Sequence, residues 1–185
     1  MTTQKKTVLA ISGSTRRQSS NHLLLRAIGV LMKNEFDVVH FDGIAGLPHF
    51  DPDVAEEQVS VPVRAFKQQL RDAAGIIICT PEYAHGVPGV LKNAIDWTVS
   101  SGEFSGKPTV LITASTDGRY GHTALLETLR VIEAVDVDQL QLLIPFIRTK
   151  VSEAGITDEM TLTEVQGVME AFVTALEREA AKLHS

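Results

Sequence analysis

The feature that most constrains the fold of this chain is a regular alternation of short apolar runs with helical patterns. Parallel strands need a helical crossover between them and are buried on both faces, so this alternation predicts a parallel sheet covered by helices on both sides. The predicted strands are Thr7–Ser12, Asp37–Phe41, Gly75–Thr80, Thr109–Ala114 and Gln139–Pro145, and the predicted helices are His22–Lys33, Val63–Ala74, Val90–Ser100, Thr123–Ala134 and Thr161–Leu183.

The composition narrows the classes of function. A net charge of −6 gives no support to nucleic-acid or anionic-membrane binding, so we expect neither partner. Cys79 is the single cysteine, which excludes an internal disulfide and fits a reducing cytoplasm. No stretch resembles a signal peptide or a membrane span, and we expect a cytoplasmic protein whose residues 1–185 form one domain.

The loop after the first predicted strand is rich in groups that suit a phosphate. It leads into a helix, whose N-terminus offers free N–H groups and the positive end of the dipole. Hydroxyls, an amide and a guanidinium add further donors, and Arg16-Arg17 concentrates positive charge in an acidic protein. The alternative is a solvated turn with Ser20 or Asn21 as the N-cap. The candidate phosphate ligands are Ser14, Arg16, Ser19, Ser20 and Asn21.

A second loop follows the buried run Gly75–Cys79 and precedes a helix that Pro88 is suited to open at its first turn. Ligands bind at the carboxyl ends of strands in open parallel sheets. Glycines that turn freely, with one tyrosine and one histidine, suit a flat ring held by backbone groups. The alternatives are packing for Tyr83 and a solvated side chain for His85. The candidate ring contacts are Pro81, Glu82, Tyr83, Ala84, His85 and Gly86.

Several other chemistries lack their motifs. Gly-x-Gly-x-x-Gly does not follow the first strand, so a dinucleotide-holding Rossmann domain is disfavoured, and the Gly-x-x-x-x-Gly-Lys-Ser/Thr loop of ATP and GTP hydrolysis is absent. The histidines are scattered without metal-ligand spacing, so we expect no metal. Cys79 is interpreted as a buried strand residue.

Together the two loops resemble the NADPH-dependent FMN reductase family. The pattern Gly-Ser-x-Arg-x-x-Ser-x-Asn is met from Gly13 to Asn21. The pattern Pro-Glu-Tyr-Asn-x-Gly/Ser-x-Pro-Gly-x-Leu-Lys-Asn-x-Ile-Asp-Trp is met nearly throughout Pro81–Trp97, with Ala84 where the family usually has Asn. The resemblance spans roughly Thr7 to Val137 and includes the Leu47–Asp53 loop.

This resemblance implies a flavodoxin-like, doubly wound sheet of five parallel strands in the order 2-1-3-4-5, with helices on both faces. It implies bound FMN, with NADPH or NADH as substrate and a small-molecule electron acceptor. Flavin N5 would carry the chemistry, so no side chain is expected to be catalytic. A third loop, with Ser115, Thr116 and Gly118, should also contact the flavin. A homodimer or homotetramer is implied, with Leu47–Asp53 and Asp96-Trp97 at subunit contacts near the flavin.

Two rival functions remain open at this level. One is a flavin-binding electron carrier without its own NAD(P)H site, and the other is a nucleotide-binding regulator of the same fold. Two side chains also have open alternatives. Arg119 is either a solvated loop charge or a contact for a dinucleotide phosphate, and Phe50 covers either a partner subunit's flavin or a hydrophobic patch.

Overall fold

The computed structural model describes residues 5–16 and 18–182. Within them, a parallel sheet has the strand order β2-β1-β3-β4-β5, which confirms the expected flavodoxin-like topology. The order reverses between β1 and β3, so the loops after these two strands meet at the switch point. The strands are β1 (Lys6–Ser12), β2 (Phe36–Phe41), β3 (Gly75–Thr80), β4 (Thr109–Ser115) and β5 (Gln141–Pro145).

Helices cover both faces of this sheet, as predicted. Two hydrophobic clusters show the layers: one includes Phe66, Leu91 and Leu125, and the other includes Leu25 and Phe172. Helices α1 and α5 therefore pack on one face, and α2, α3 and α4 pack on the other. The helices are α1 (Ser20–Leu31), α2 (Val61–Asp72), α3 (Gly89–Asp96), α4 (Arg119–Val131) and α5 (Glu159–Lys182).

The structure corrects several predicted boundaries. Before the last helix lies a small antiparallel hairpin that is not among the predicted strands, formed by β6 (Val151–Ser152) and β7 (Gly155–Ile156). Pro88 precedes α3 as its N-cap instead of lying in its first turn. Helix α4 begins at Arg119, four residues before the predicted start, because Gly118 caps it in a left-handed conformation. The predicted end of the last helix, Leu183, lies outside the described residues.

The long stretch from Asp42 to Val61 is packed onto the body of the protein. Its apolar side chains Ile44, Leu47 and Val59 are buried in the core. The buried ammonium of Lys67 on α2 donates a 2.5 Å hydrogen bond to Glu56 and fixes the acidic part of the stretch. No helix among residues 5–16 and 18–182 is long and apolar enough to cross a membrane.

Candidate active site

A cavity of about 590 Å³ opens where the carboxyl ends of the sheet strands meet. This volume is within the usual range for small-molecule and cofactor sites. The cavity joins the loop after β1, the loop after β3 and the end of β4, as the sequence predicts for a switch-point site. Its lining residues are Ser14, Arg16, Gln18, Ser19, Ser20, Asn21, Pro81, Glu82, Tyr83, Ala114, Ser115, Thr116, Phe146, Ile147, Arg148 and Thr149.

The N-terminus of α1 forms one end of this cavity. Ser19, in an extended conformation, is the N-cap, and its Oγ accepts the His22 N–H at 3.1 Å. The alternative interpretation, in which Ser20 or Asn21 is the N-cap, does not hold, because both residues lie in the first helical turn. N–H groups in a first turn have no intrahelical acceptor, so Ser20 and Asn21 bring anion-binding donors to the cavity wall.

The loop between β1 and α1 is held close to the end of β3. Gly13 donates its N–H to the Cys79 carbonyl at 2.9 Å, and a Cβ at Gly13 would lie 2.2 Å from the Thr80 hydroxyl. The loop thus needs glycine at this position because no side chain fits between the two strands. Arg16 follows with an exposed side chain that lines the cavity, whereas Arg17 lies outside the described residues.

Asn21 has a structural role that the sequence did not reveal. Its side-chain amide donates to the Ala114 carbonyl at 3.2 Å, and its Oδ1 accepts the Cys79 thiol at 3.1 Å. The amide thereby joins α1 to β3 and β4 below the cavity, so we assign it to the framework of the site. Cys79 is fully buried, and this burial raises the pKa of its thiol well above the ordinary value, which agrees with its interpretation as a strand residue.

The second predicted loop contains a tight two-residue turn. Tyr83 and Gly86 exchange two backbone hydrogen bonds of 2.9 Å across it. The central residues Ala84 and His85 have φ of 49° and 57°, the left-handed values of a type I′ turn. The expectation that glycines supply the turning freedom here is wrong, because the left-handed positions belong to Ala84 and His85.

This turn gives a direct prediction for Ala84→Asn. Left-handed backbone costs an ordinary L-residue about 1–2 kcal/mol, and asparagine tolerates it better through local hydrogen bonding. We expect the free energy of unfolding to rise by up to about 1 kcal/mol in a denaturant titration. Ala84→Val, which is β-branched, should instead lower it. An asparagine variant as unstable as the valine variant would contradict this account of the turn.

Glu82 fastens the turn to the start of α4. Its Oε2 accepts the Gly121 N–H at 2.7 Å, and its own N–H donates to Ser115 Oγ at 3.2 Å. A carboxylate is favoured there by the positive end of the helix dipole. A Cβ on Gly121 would approach the Gly86 carbonyl to 3.0 Å, so the loop and the helix are in close contact. Glu82 therefore orders the loop.

Four predicted site residues lie beside the cavity without lining it: Ala84, His85, Gly86 and Gly118. The exposed His85 ring packs on Tyr120 at the surface, with centroids 4.3 Å apart, beside the cavity and not within its lining. Arg119 is exposed and forms a bidentate pair with Asp117 at 2.9 Å, in agreement with a solvated loop charge. Phe50 packs edge-on against Trp97 of the same chain, with centroids 5.2 Å apart.

The cavity has one wall that the sequence interpretation missed, the turn after β5. Phe146, Ile147, Arg148 and Thr149 supply it, and Gln18 adds a further lining residue. The sequence did indicate that this turn lies near the cavity, because Pro145 ends a predicted strand at the same edge of the sheet as the two loops. The resemblance in sequence ends before this segment, and the predicted site residues all lie in the loops after β1, β3 and β4.

Comparison with known proteins decides the family. Residues 7–149 match the family described as NADPH-dependent FMN reductase. This chain belongs to that family. A quinone reductase of Escherichia coli (strain K12) is 33% identical over 184 residues, covering 95% of this chain and 97% of the relative. A 2-hydroxy-1,4-benzoquinone reductase of a Burkholderia species is 34% identical over 173 residues, covering 89% and 93%.

Solved structures agree in fold with this chain. FerB, a flavoenzyme NAD(P)H:(acceptor) oxidoreductase from Paracoccus denitrificans, superposes with a TM-score of 0.76 at 24% identity, covering 94% of this chain and 98% of FerB. Family membership makes the chain an oxidoreductase that uses FMN and NAD(P)H. The cavity fits FMN, because its volume suffices and one end carries hydroxyls, a guanidinium and helix N–H groups suited to a phosphate dianion.

Proposed function

We propose that this protein oxidises NAD(P)H and passes two electrons to a small acceptor. Quinones are the first candidates because relatives matched over 97% and 93% of their length are quinone reductases, with azo compounds, metal oxyanions and free flavin as the other candidates. The observation that carries the proposal is one cavity that joins the α1 N-terminus to the loop after β3 at the switch point. FMN held in this cavity would supply the redox chemistry that links the nicotinamide to the acceptor.

Different residues along the cavity would bind different parts of FMN. Ser14, Arg16, Ser19 and the first N–H groups of α1 would hold the phosphate. The backbone of Pro81, Glu82 and Tyr83, which line the cavity, would align the edge of the flavin ring, with the turn at Ala84–Gly86 beside them. Ser115 and Thr116 at the end of β4, with Gly118 behind them, would complete the third loop. Donors fixed in this way need no rearrangement as charge develops on the ring, which is how such a site tunes a flavin.

Tyr83 and Phe146 mark the open side of the cavity, since their side chains are 52% and 64% exposed. With the protein loops against one face of the ring, this side would admit the hydride donor and the acceptor in turn. No Rossmann fingerprint is present to retain a dinucleotide. NAD(P)H should therefore bind, react and leave before the acceptor enters.

This order of events predicts ping-pong kinetics. Double-reciprocal plots against NADPH, measured with a quinone at several fixed concentrations, should give parallel lines. Free FMN as acceptor serves as a second test of the same pattern. Lines that intersect for both acceptors would require donor and acceptor to be bound together and would overturn the one-site account.

We also propose a homodimer or homotetramer of one-domain subunits, residues 1–185, in the cytoplasm. Asn93 holds the Leu47–Asp53 loop on α3, donating to the Pro48 carbonyl at 2.9 Å and accepting the Phe50 N–H at 2.7 Å. Beside it, a groove between α3 and α4 carries the exposed side chains Val99 and Val131. This surface is the suggested subunit contact. A fully active monomer in sedimentation at micromolar concentration would refute the assembly.

A further inference from the structure

The turn after β5 brings a second guanidinium to the cavity that holds Arg16. We propose that Arg148 is a further ligand of the FMN phosphate and selects the phosphorylated flavin over riboflavin. This inference rests on the placement of the phosphate at the N-terminus of α1 under the proposed function. Arg148 lies outside the sequence patterns of the first two loops, so those patterns do not predict a role for it.

Backbone hydrogen bonds fix the turn that carries Arg148. Pro145 is in register with Ser115, and the Phe146 N–H donates to the Thr116 carbonyl at 3.2 Å. The Phe146 carbonyl accepts both the N–H and the hydroxyl of Thr149, at 3.0 and 2.9 Å. Phe146 itself has φ of 54°, a left-handed value rare for a bulky residue. The turn is thus held in one conformation beside the cavity.

The path of the chain after the turn leads toward α1. Strands β6 and β7 pack against this helix, where Gly155 and Ile156 share a groove with α1 residues from Leu23 to Leu31. Residues 146–151 therefore run from the end of β4 to the side of α1. Arg148 lies midway on this path, and its side chain lines the same cavity as Ser14, Ser19 and Arg16.

The charges around Arg148 leave it available to an anion. Its side chain is exposed, and no carboxylate in residues 5–16 and 18–182 forms an ion pair with it. Glu82 is the carboxylate among the lining residues, and it already accepts the Gly121 N–H. In a protein of net charge −6, two guanidiniums at one cavity suit a phosphate dianion.

The test is a pair of fluorescence titrations on full-length protein stripped of flavin. For Arg148→Gln, the FMN dissociation constant should rise roughly tenfold, the scale of one charge-assisted hydrogen bond, while the riboflavin constant stays unchanged. Lys150→Gln is the matched control, because it removes one positive charge from the same segment but outside the cavity lining. It should leave both constants unchanged.

Other outcomes overturn the inference in distinguishable ways. Equal weakening of FMN and riboflavin would show that Arg148 merely supports the turn. Unchanged FMN affinity with a raised KM for NADPH, but not for NADH, would assign Arg148 to the donor's extra phosphate. Unchanged values throughout would leave Arg148 without a role in binding. If wild-type protein bound no FMN, the proposed function would fail, whereas FMN binding unaffected by Arg148→Gln would refute this inference alone.

Discussion

Replacing Gly118 by alanine is expected to lower the free energy of unfolding by about 2–4 kcal/mol, the sum of left-handed strain and overpacking. Gly118 has φ of 102°, and an added Cβ would lie 2.9 Å from both Leu143 Cδ1 and Thr113 Cγ2. Thr113 has little freedom to move away, because it is fully buried and its hydroxyl forms a 2.9 Å hydrogen bond with His122 Nδ1. The clash is therefore relieved only by shifting β4 or the start of α4.

A second alanine provides the matched control for this measurement. Gly167 lies within α5, and a Cβ added there would meet nothing within 4 Å, so Gly167→Ala should raise stability by about 0.5–1 kcal/mol. Denaturant unfolding of flavin-free protein measures both changes on one scale. If both variants shifted in the same direction, the strained geometry described for Gly118 would be wrong.

Arg16→Ala should weaken FMN binding by roughly 1.5–3 kcal/mol, the scale of a hydrogen bond to a charged group. The Arg16 side chain is exposed at the cavity and joins no salt bridge with another described residue, so its removal should leave the fold intact. Equilibrium titration of flavin-free protein with FMN gives the affinity, and thermal unfolding of the same sample checks the fold.

Arg26→Ala supplies the comparison for Arg16. Arg26 is an exposed arginine on the helix that follows the Arg16 loop, but it does not line the cofactor cavity. Its removal lowers the charge of the protein equally and should leave FMN affinity nearly unchanged. If FMN affinity fell equally in both variants, Arg16 would act only by long-range electrostatic attraction. If FMN affinity were unaltered in Arg16→Ala, Arg16 would not be part of the site.

Much of the fold was predictable because the local pattern of apolar residues agrees with the burial of each element in the folded protein. The run Gly75–Thr80 is apolar nearly throughout and is buried at every position, as expected for a central parallel strand. The position of the cavity could then be predicted from the two loops at neighbouring strand ends, and this prediction did not require any knowledge of side-chain packing. The density of hydroxyls and a guanidinium before α1 predicted a phosphate site, and the family resemblance of the two loops implied FMN as the cofactor.

The remaining features depend on contacts between distant parts of the chain. The left-handed backbone of Ala84 and His85 follows from tying Tyr83 to Gly86, and no local preference of alanine indicates it. The Asn21 amide was assigned to phosphate because its partners, Ala114 and Cys79, are distant in sequence. Phe146–Thr149 was missed for the same reason, since only the register of β5 against β4 brings it to the cavity.

The most direct test of the proposed reaction is anaerobic mixing of the FMN-loaded protein with NADPH and no acceptor. The visible absorbance of the bound flavin should bleach, and a quinone added afterwards should restore it, because we propose that donor and acceptor use one site in turn. Bleaching by dithionite but not by NADPH or NADH would contradict the claim that this chain oxidises a nicotinamide. Bleaching that required the acceptor to be present would contradict the order of events.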